Sequence, residues 1–443
     1  MKTLLIATGI LCSYALQAQF GNLLERAKQK TVNKVDQKID QKMDKAIGNA
    51  VDSVDKGATP GKKSKSTVNQ NSSTNTGVNN NTNDGNVSSS GATGSLKSYS
   101  KFDFVPGEKI LVAEDFIQDA IGDFPARWNT NASGEVVTVN GQTGHWLMVN
   151  KKGRYVPEYI TSLPENFTLQ FDVICNEKFS FYSNFLQFYF ITGGQGKGIM
   201  DYSSFETGQR SGVKLGIHPC TAGSNGGTAL IESYEDGNKV MNNETATSQF
   251  NSNNGKTFVK VSVWRQKQRI RMYLNEEKVL DLPRAFPAGK NYNTLFFEIW
   301  SGMHNDADRY LISNLRLAAG APDTRNKLIT EGKFVTHGIL FDVNSDKIKP
   351  ESYGALKDIA AVLSENAAVR VKIIGHTDAD GDDKNNMELS KKRAEAVKAS
   401  LIKEFAIEGS RMETDGKGKT MPIDKNTTAE GKANNRRVEF IKL

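Results

Sequence analysis

Between residues 167 and 318 apolar and polar residues alternate with a period of two, in short runs punctuated by Gly, Asn and Pro. The runs are FTLQFDVIC (167–175), NFLQFYFIT (184–192), VKLGIH (213–218), TALIESY (228–234), TFVKVSVWR (257–265), RIRMYLN (269–275), TLFFEIW (294–300) and RYLISNLRLA (309–318). Their β-branched and aromatic residues predict strands. No helical period interrupts them, so residues 101–320 are expected to form an all-β sandwich or barrel. A transmembrane barrel would set an apolar outside against a polar lumen. Phe171, Phe181, Phe185 and Phe188 instead sit in crowded, partly continuous apolar runs, the pattern of a filled core. The sandwich is the expectation and the barrel its alternative.

From about residue 328 the rhythm changes. HGILFD (337–342), VRVKIIGHT (369–377) and RRVEFIKL (436–443) read as strands. PESYGALKDIAAVLSEN (350–366) reads as a helix entered at Pro350, with Leu356, Ile359, Ala360 and Leu363 on its apolar face. NMELSKKRAEAVKASLIKEF (386–405) reads as a second helix, with Leu389, Ala394, Val397 and Leu401 inward. This order predicts an α+β domain over 328–443, its helices on one face of a sheet.

The first hundred residues follow neither pattern. Residues 1–18, MKTLLIATGILCSYALQA, have the single basic residue, short apolar run and small-residue end of a secretory signal, cleaved after Ala18 or Ala15. Leu11 before Cys12 argues against lipidation there. Residues 19–56 are charged, with Val35, Ile39, Met43, Ile47 and Val51 four apart, which predicts a helix whose apolar stripe wraps around it. Residues 57–98 are almost all Asn, Ser, Thr, Gly and Lys and read as a disordered linker.

Export makes Cys175 and Cys220 a candidate disulfide, with two buried free thiols as the alternative. The net charge of +7 suits an anionic surface, but no basic block interleaved with aromatics points to nucleic acid. The five histidines form no metal-ligand spacing, and no nucleophile elbow occurs, so neither a metal, a cofactor nor catalysis is expected. Glu232 and Glu235 are three apart, on opposite faces of a strand, unlike a glycosidase pair. Asn305, Asp306 and Asp308 lack the spacing of an EF-hand and read as a polar loop.

Two resemblances sharpen this. TFVKVSVWRQKQRIRMYLNEEKVLDLP and RYLISNLRL resemble strands of concanavalin A-like (laminin-G-like) sandwiches. ILFDVNSDKIKP, GHTDADGDDKNNMELSKKRAEAV and PIDKNTTAEGKANNRRVEF resemble, in order, the signature segments of the OmpA-like peptidoglycan-binding domain. Asp378, Gly381, Asn386, Leu389, Ser390, Arg393 and Ala394 fall in that family's register, and Lys432 stands where it often has Arg. The resemblance implies a non-enzymatic domain that holds the diaminopimelate end of a peptidoglycan stem peptide. Asp378 would take its ammonium and Arg393 its carboxylate, with Asn386 and Asp342 completing a polar pocket. Asn386 is also expected to cap the second helix. The implied protein is exported, sits at the outer membrane or in the periplasm of a Gram-negative envelope, and tethers that membrane or a periplasmic assembly to the wall. Its partners would be peptidoglycan, the outer membrane and a glycan or protein ligand of the sandwich. The alternatives are a wall-localised glycan-binding or glycan-cleaving sandwich, or an outer-membrane barrel carrying the same C-terminal domain.

Overall fold

The computed structural model describes residues 102–193, 210–220, 226–320 and 323–443. The signal, helix and linker expected over 1–18, 19–56 and 57–98 lie outside the described residues, which all belong to one compact unit, Ser90–Leu443.

Each of the eight strand-like runs forms a strand, and all lie in two antiparallel sheets. The eight-stranded sheet is centred on Phe258–Gln266, Asn166–Cys175 and Tyr310–Ala319. The seven-stranded sheet is centred on Gly212–His218, Leu186–Thr192 and Tyr292–Ile299. The two are open sheets facing each other across one core, rather than a closed ring. Phe171 of one sheet meets Phe188 and Phe297 of the other at ring separations of 5.1 and 5.2 Å, edge to face. Phe171 and Phe188 therefore lie where the alternation puts them. Phe181 does not: it is 45% exposed on a loop, and Phe185 packs on the His218 ring instead of entering the core.

The candidate disulfide is not formed. Cys175 and Cys220 are both buried thiols. Cys175 faces the aromatic core at the end of its strand, whereas the Cys220 sulfur accepts the Asn253 side-chain amide. Burial pushes the Cys175 thiol far above its usual range, which suits a packing residue.

The C-terminal module has a four-stranded sheet in the order Lys333–Thr336, Val438–Lys442, Val371–Gly375, Met412–Gly416, the last pair parallel. Helices α1 (Tyr353–Glu365) and α2 (Asp383–Phe405) bury Ile359, Leu363, Val397 and Leu401 against Val371, Ile373 and Phe440. A short helix α3 (Ala429–Asn435) precedes the last strand. Two expectations shift. HGILFD is not a strand: the strand is Lys333–Thr336, and the following segment lies along α1, its Leu340 amide and carbonyl both bonded to the Ser352 hydroxyl. The inward row of α2 carries Ser390 in place of Leu389, because Gly375 and Gly416 of the sheet approach the Ser390 turn too closely for a larger side chain.

The sandwich and the C-terminal module are joined by packing as well as by chain. Phe102, Phe104 and Val105 precede the first sandwich strand yet sit in the C-terminal core. Both Phe rings stand edge-on to Tyr273 at 5.5 Å, and Phe104 also meets Trp264. On the far side Gly354 of α1 lies against the Phe104 backbone, where a Cβ would fall 2.1 Å from its carbonyl oxygen. A second joint is made by Asn434 of α3, whose side-chain amide bonds both the N–H and the C=O of Ile110.

Candidate functional site

Strand Val371–Gly375 delivers the segment His376–Asp382, which turns through Gly381 at φ 86° into α2. Thr377 N–H donates to the Gly418 carbonyl and Ala379 N–H to Asn426 Oδ1, so the turn is anchored on both sides. Asp378 is thereby fixed at the mouth of the module, mostly buried. One of its oxygens, Oδ2, is 2.5 Å from Arg436 Nη1; the other, Oδ1, accepts only the Asp380 N–H at 3.2 Å. Asp378 thus pairs with Arg436, not with Arg393.

Arg393 lies ten residues into α2, close to three turns from its start. Its Nε donates to the Ser345 carbonyl at 3.0 Å, and its guanidinium carbon stands 4.9 Å over the Phe341 ring. These contacts hold the stem and leave the terminal Nη groups without a hydrogen-bond partner among the described residues. Burial lowers its pKa; Asp378 opposes this and Arg436 adds to it.

The other two expected residues lie elsewhere. Asn386 is buried in the first turn of α2, but the cap is Asp382, which accepts Asn385 N–H. Asn386 donates instead to the Asp380 carbonyl at 2.8 Å and braces the Asp378 turn from behind. Asp342 is half exposed, 3.6 Å from Lys347, on the turn that presents the Ser345 carbonyl to Arg393. It stands at the rim and does not line the cavity.

That cavity holds about 140 Å³. Phe341, His376, Arg393, Arg436, Arg437 and Arg316 are among the residues around it. Arg437 is matched by Glu439 at 2.7 Å. Burial raises the Glu439 carboxyl, but the nearby His376 ring and the paired Lys333 and Arg437 cations outweigh it and hold the group well below the usual range. Arg436 and Arg316 had no role in the sequence reading. Arg436 stands inside PIDKNTTAEGKANNRRVEF, 58 residues from Asp378, and no local spacing marks the pair.

His337, on the same wall, is buried and donates through Nε2 to the Asn434 carbonyl, 2.9 Å away. Burial first, then the Arg316 charge, lower its pKa from 6.5 to about 4. The unfolded chain therefore takes up this proton near pH 6.5, whereas the folded chain resists it until near pH 4. Stability should be unaffected above pH 6.5 and should fall by about 3 kcal/mol as pH drops through that window. Urea melts at pH 7.5 and 4.5 should show His337→Gln losing less stability on acidification than the parent protein.

The middle region has no comparable arrangement among the described residues. Glu232 is ion-paired with Lys214 and Lys239. Asp308 accepts from Asn176, Ser180 and Ser183, so the 304–309 loop is pinned by its own acid.

Residues 340–436 match the OmpA family. The matching stretch is 43% identical over 104 residues to the probable lipoprotein YiaD of Escherichia coli, covering 24% of this chain and 47% of that protein. It is 40% identical over 101 residues to outer membrane porin F of Pseudomonas aeruginosa, covering 23% of this chain and 29% of the porin. It is 38% identical over 107 residues to the putative lipoprotein YfiB of Escherichia coli, covering 24% of this chain and 67% of the lipoprotein. The chain thus spans under half the length of the first two relatives, and their remaining parts have no counterpart in the match.

Proposed function

Because the chain belongs to the OmpA family through residues 340–436, we propose that its C-terminal module binds peptidoglycan without cleaving it, and that it tethers the outer membrane or a periplasmic assembly to the wall. The observation that carries this reading is an under-used carboxylate oxygen on Asp378, which is tied through Oδ2 to the cavity-lining Arg436, together with the uncommitted guanidinium fork of Arg393 in the wall of that cavity. A diaminopimelate end carries an ammonium and a carboxylate on one carbon. Asp378 Oδ1 accepts the ammonium while Oδ2 keeps Arg436, and the Arg393 fork grips the carboxylate. Asn386 and Asp342 act indirectly, by bracing the Asp378 turn and the Ser345 turn. No nucleophile faces the cavity.

The domain plan follows. A signal (1–18), a charged helix (19–56) and a linker (57–98) lead to a concanavalin A-like sandwich (101–320) and the wall-binding module (328–443). The exported chain lies at the outer membrane or in the periplasm. The sandwich takes a further glycan or protein partner. The test is co-sedimentation of the full chain with diaminopimelate-type sacculi, beside Asp378→Ala and Arg393→Ala, with circular dichroism to verify folding. The parent protein should pellet and both folded variants should remain in solution. Equal pelleting of all three, or none, overturns the reading.

A further inference from the structure

One cation in the wall of the cavity does not come from the C-terminal module. Arg316 belongs to the sandwich strand Tyr310–Ala319. Strict alternation along ISNLRL would place residues 312, 314 and 316 on one face, and Ile312 does face the sandwich core. The register instead shifts between Ser313 and Arg316, with Asn314 at φ 54° and its amide bonded to Asp172 Oδ2. This is a β-bulge, and it re-aims everything after it. Leu315 and Leu317 enter the core, while Arg316 and Ala318 face outward, where Ala318 packs with Ala433 of the C-terminal module.

The re-aimed guanidinium reaches the cavity and pairs with no acid among the described residues. Its contact there is the His337 carbonyl, 3.4 Å from Nη2, and its Nε is buried with no hydrogen-bond partner. Of the four arginines around the cavity, Arg436 is matched by Asp378 and Arg437 by Glu439. Among the described residues, Arg316 and Arg393 have only backbone carbonyls as acceptors. Arg316 and Arg393 both face the Arg436 charge, and an excess of cations around one small cavity costs stability unless a bound group supplies negative charge. The lowered pKa of Arg316, pushed down to about 10 by burial and then by Arg436, reflects that environment.

We propose that Arg316, carried in from the sandwich, is a second carboxylate-binding residue of this pocket, so that the full chain selects stem peptides presenting two free carboxylates. This rests on the wall-binding reading above for its ligand, but not for its chemistry. It gives the tight docking of the two modules a role: the isolated C-terminal module would lack part of its own site.

The test is calorimetric titration of the full chain and of Arg316→Gln and Arg316→Lys, with thermal unfolding to establish that each is folded. The probes are L-Ala-γ-D-Glu-meso-diaminopimelate, the same peptide amidated at one carboxylate at a time, and glutarate, a dicarboxylate with no ammonium. The parent protein should bind the unmodified peptide about 10-fold more tightly than Arg316→Gln does. One amidation should weaken the parent but leave Arg316→Gln unchanged, and Arg316→Lys should fall between. If the peptide binds and Arg316→Gln responds to every amidation as the parent does, the Arg316 assignment is wrong and the wall-binding reading stands. If the peptide fails to bind but glutarate binds in an Arg316-dependent way, the dicarboxylate pocket stands and the wall-binding reading falls. If neither probe binds the parent protein, both are overturned.

Discussion

Replacing Arg393 by Ala should weaken binding of a diaminopimelate tripeptide by about 100-fold while leaving the fold intact. The guanidinium is held from two sides, by the Ser345 carbonyl at Nε and by the Phe341 ring beneath it, so its terminal fork is fixed before a ligand arrives. A bidentate, charge-assisted pair in such a setting contributes about 3 kcal/mol, which is about two decades in affinity. Stability should change little or rise slightly, because the side chain is a partly buried cation whose charge is disfavoured by burial and by Arg436, and it makes no direct ion pair among the described residues. Asp378→Asn should lose a similar factor, since the amide keeps the shape of the carboxylate and removes its charge. Asp378→Ala is the poorer probe: it also strips Arg436 of its partner. Titration calorimetry, with urea melts on the same samples, separates the two effects. A loss of stability as large as the loss of affinity in Arg393→Ala would mean that the residue is structural.

The second large effect concerns the joint. Phe104→Ala should destabilise the C-terminal module by about 3–5 kcal/mol, the usual cost of truncating a fully buried aromatic. It also removes two edge-to-face contacts, to Tyr273 and Trp264, that connect the modules. A single unfolding transition in the parent chain should therefore split into two in the variant, the lower one belonging to the C-terminal module. Scanning calorimetry reads this directly. A variant that melts in one transition at the parent temperature would show that the joint contributes nothing to cooperativity.

What the sequence disclosed follows from how local each signal is. Strands with two-fold alternation and helices with strong apolar faces were legible because burial imposes the period. HGILFD misled because residues 340–342 pair only with the returning segment 347–349, through a single bridge, and never join the sheet. Leu389 misled because hydrophobicity ranks above Ser390, whereas the constraint on that turn is the close approach of Gly375 and Gly416. Asp378 and Arg393 were visible as types in a motif. Their separation from each other, the Arg436 partner and the bracing role of Asn386 depend on contacts 6 to 58 residues apart. Arg316 was hidden most deeply. Its only local mark is the broken alternation at Ser313-Asn314, and its meaning appears when the other module is docked against it.

The measurement that bears most directly on the central claim is a crystal structure of the full chain with the tripeptide L-Ala-γ-D-Glu-meso-diaminopimelate. The ammonium should lie within hydrogen-bond distance of Asp378, about 2.6–3.2 Å, and the adjacent carboxylate should lie on the Arg393 fork. The Asp378–Arg436 pair should persist beside it. A ligand seated elsewhere, or one that meets neither Asp378 nor Arg393, would contradict the account.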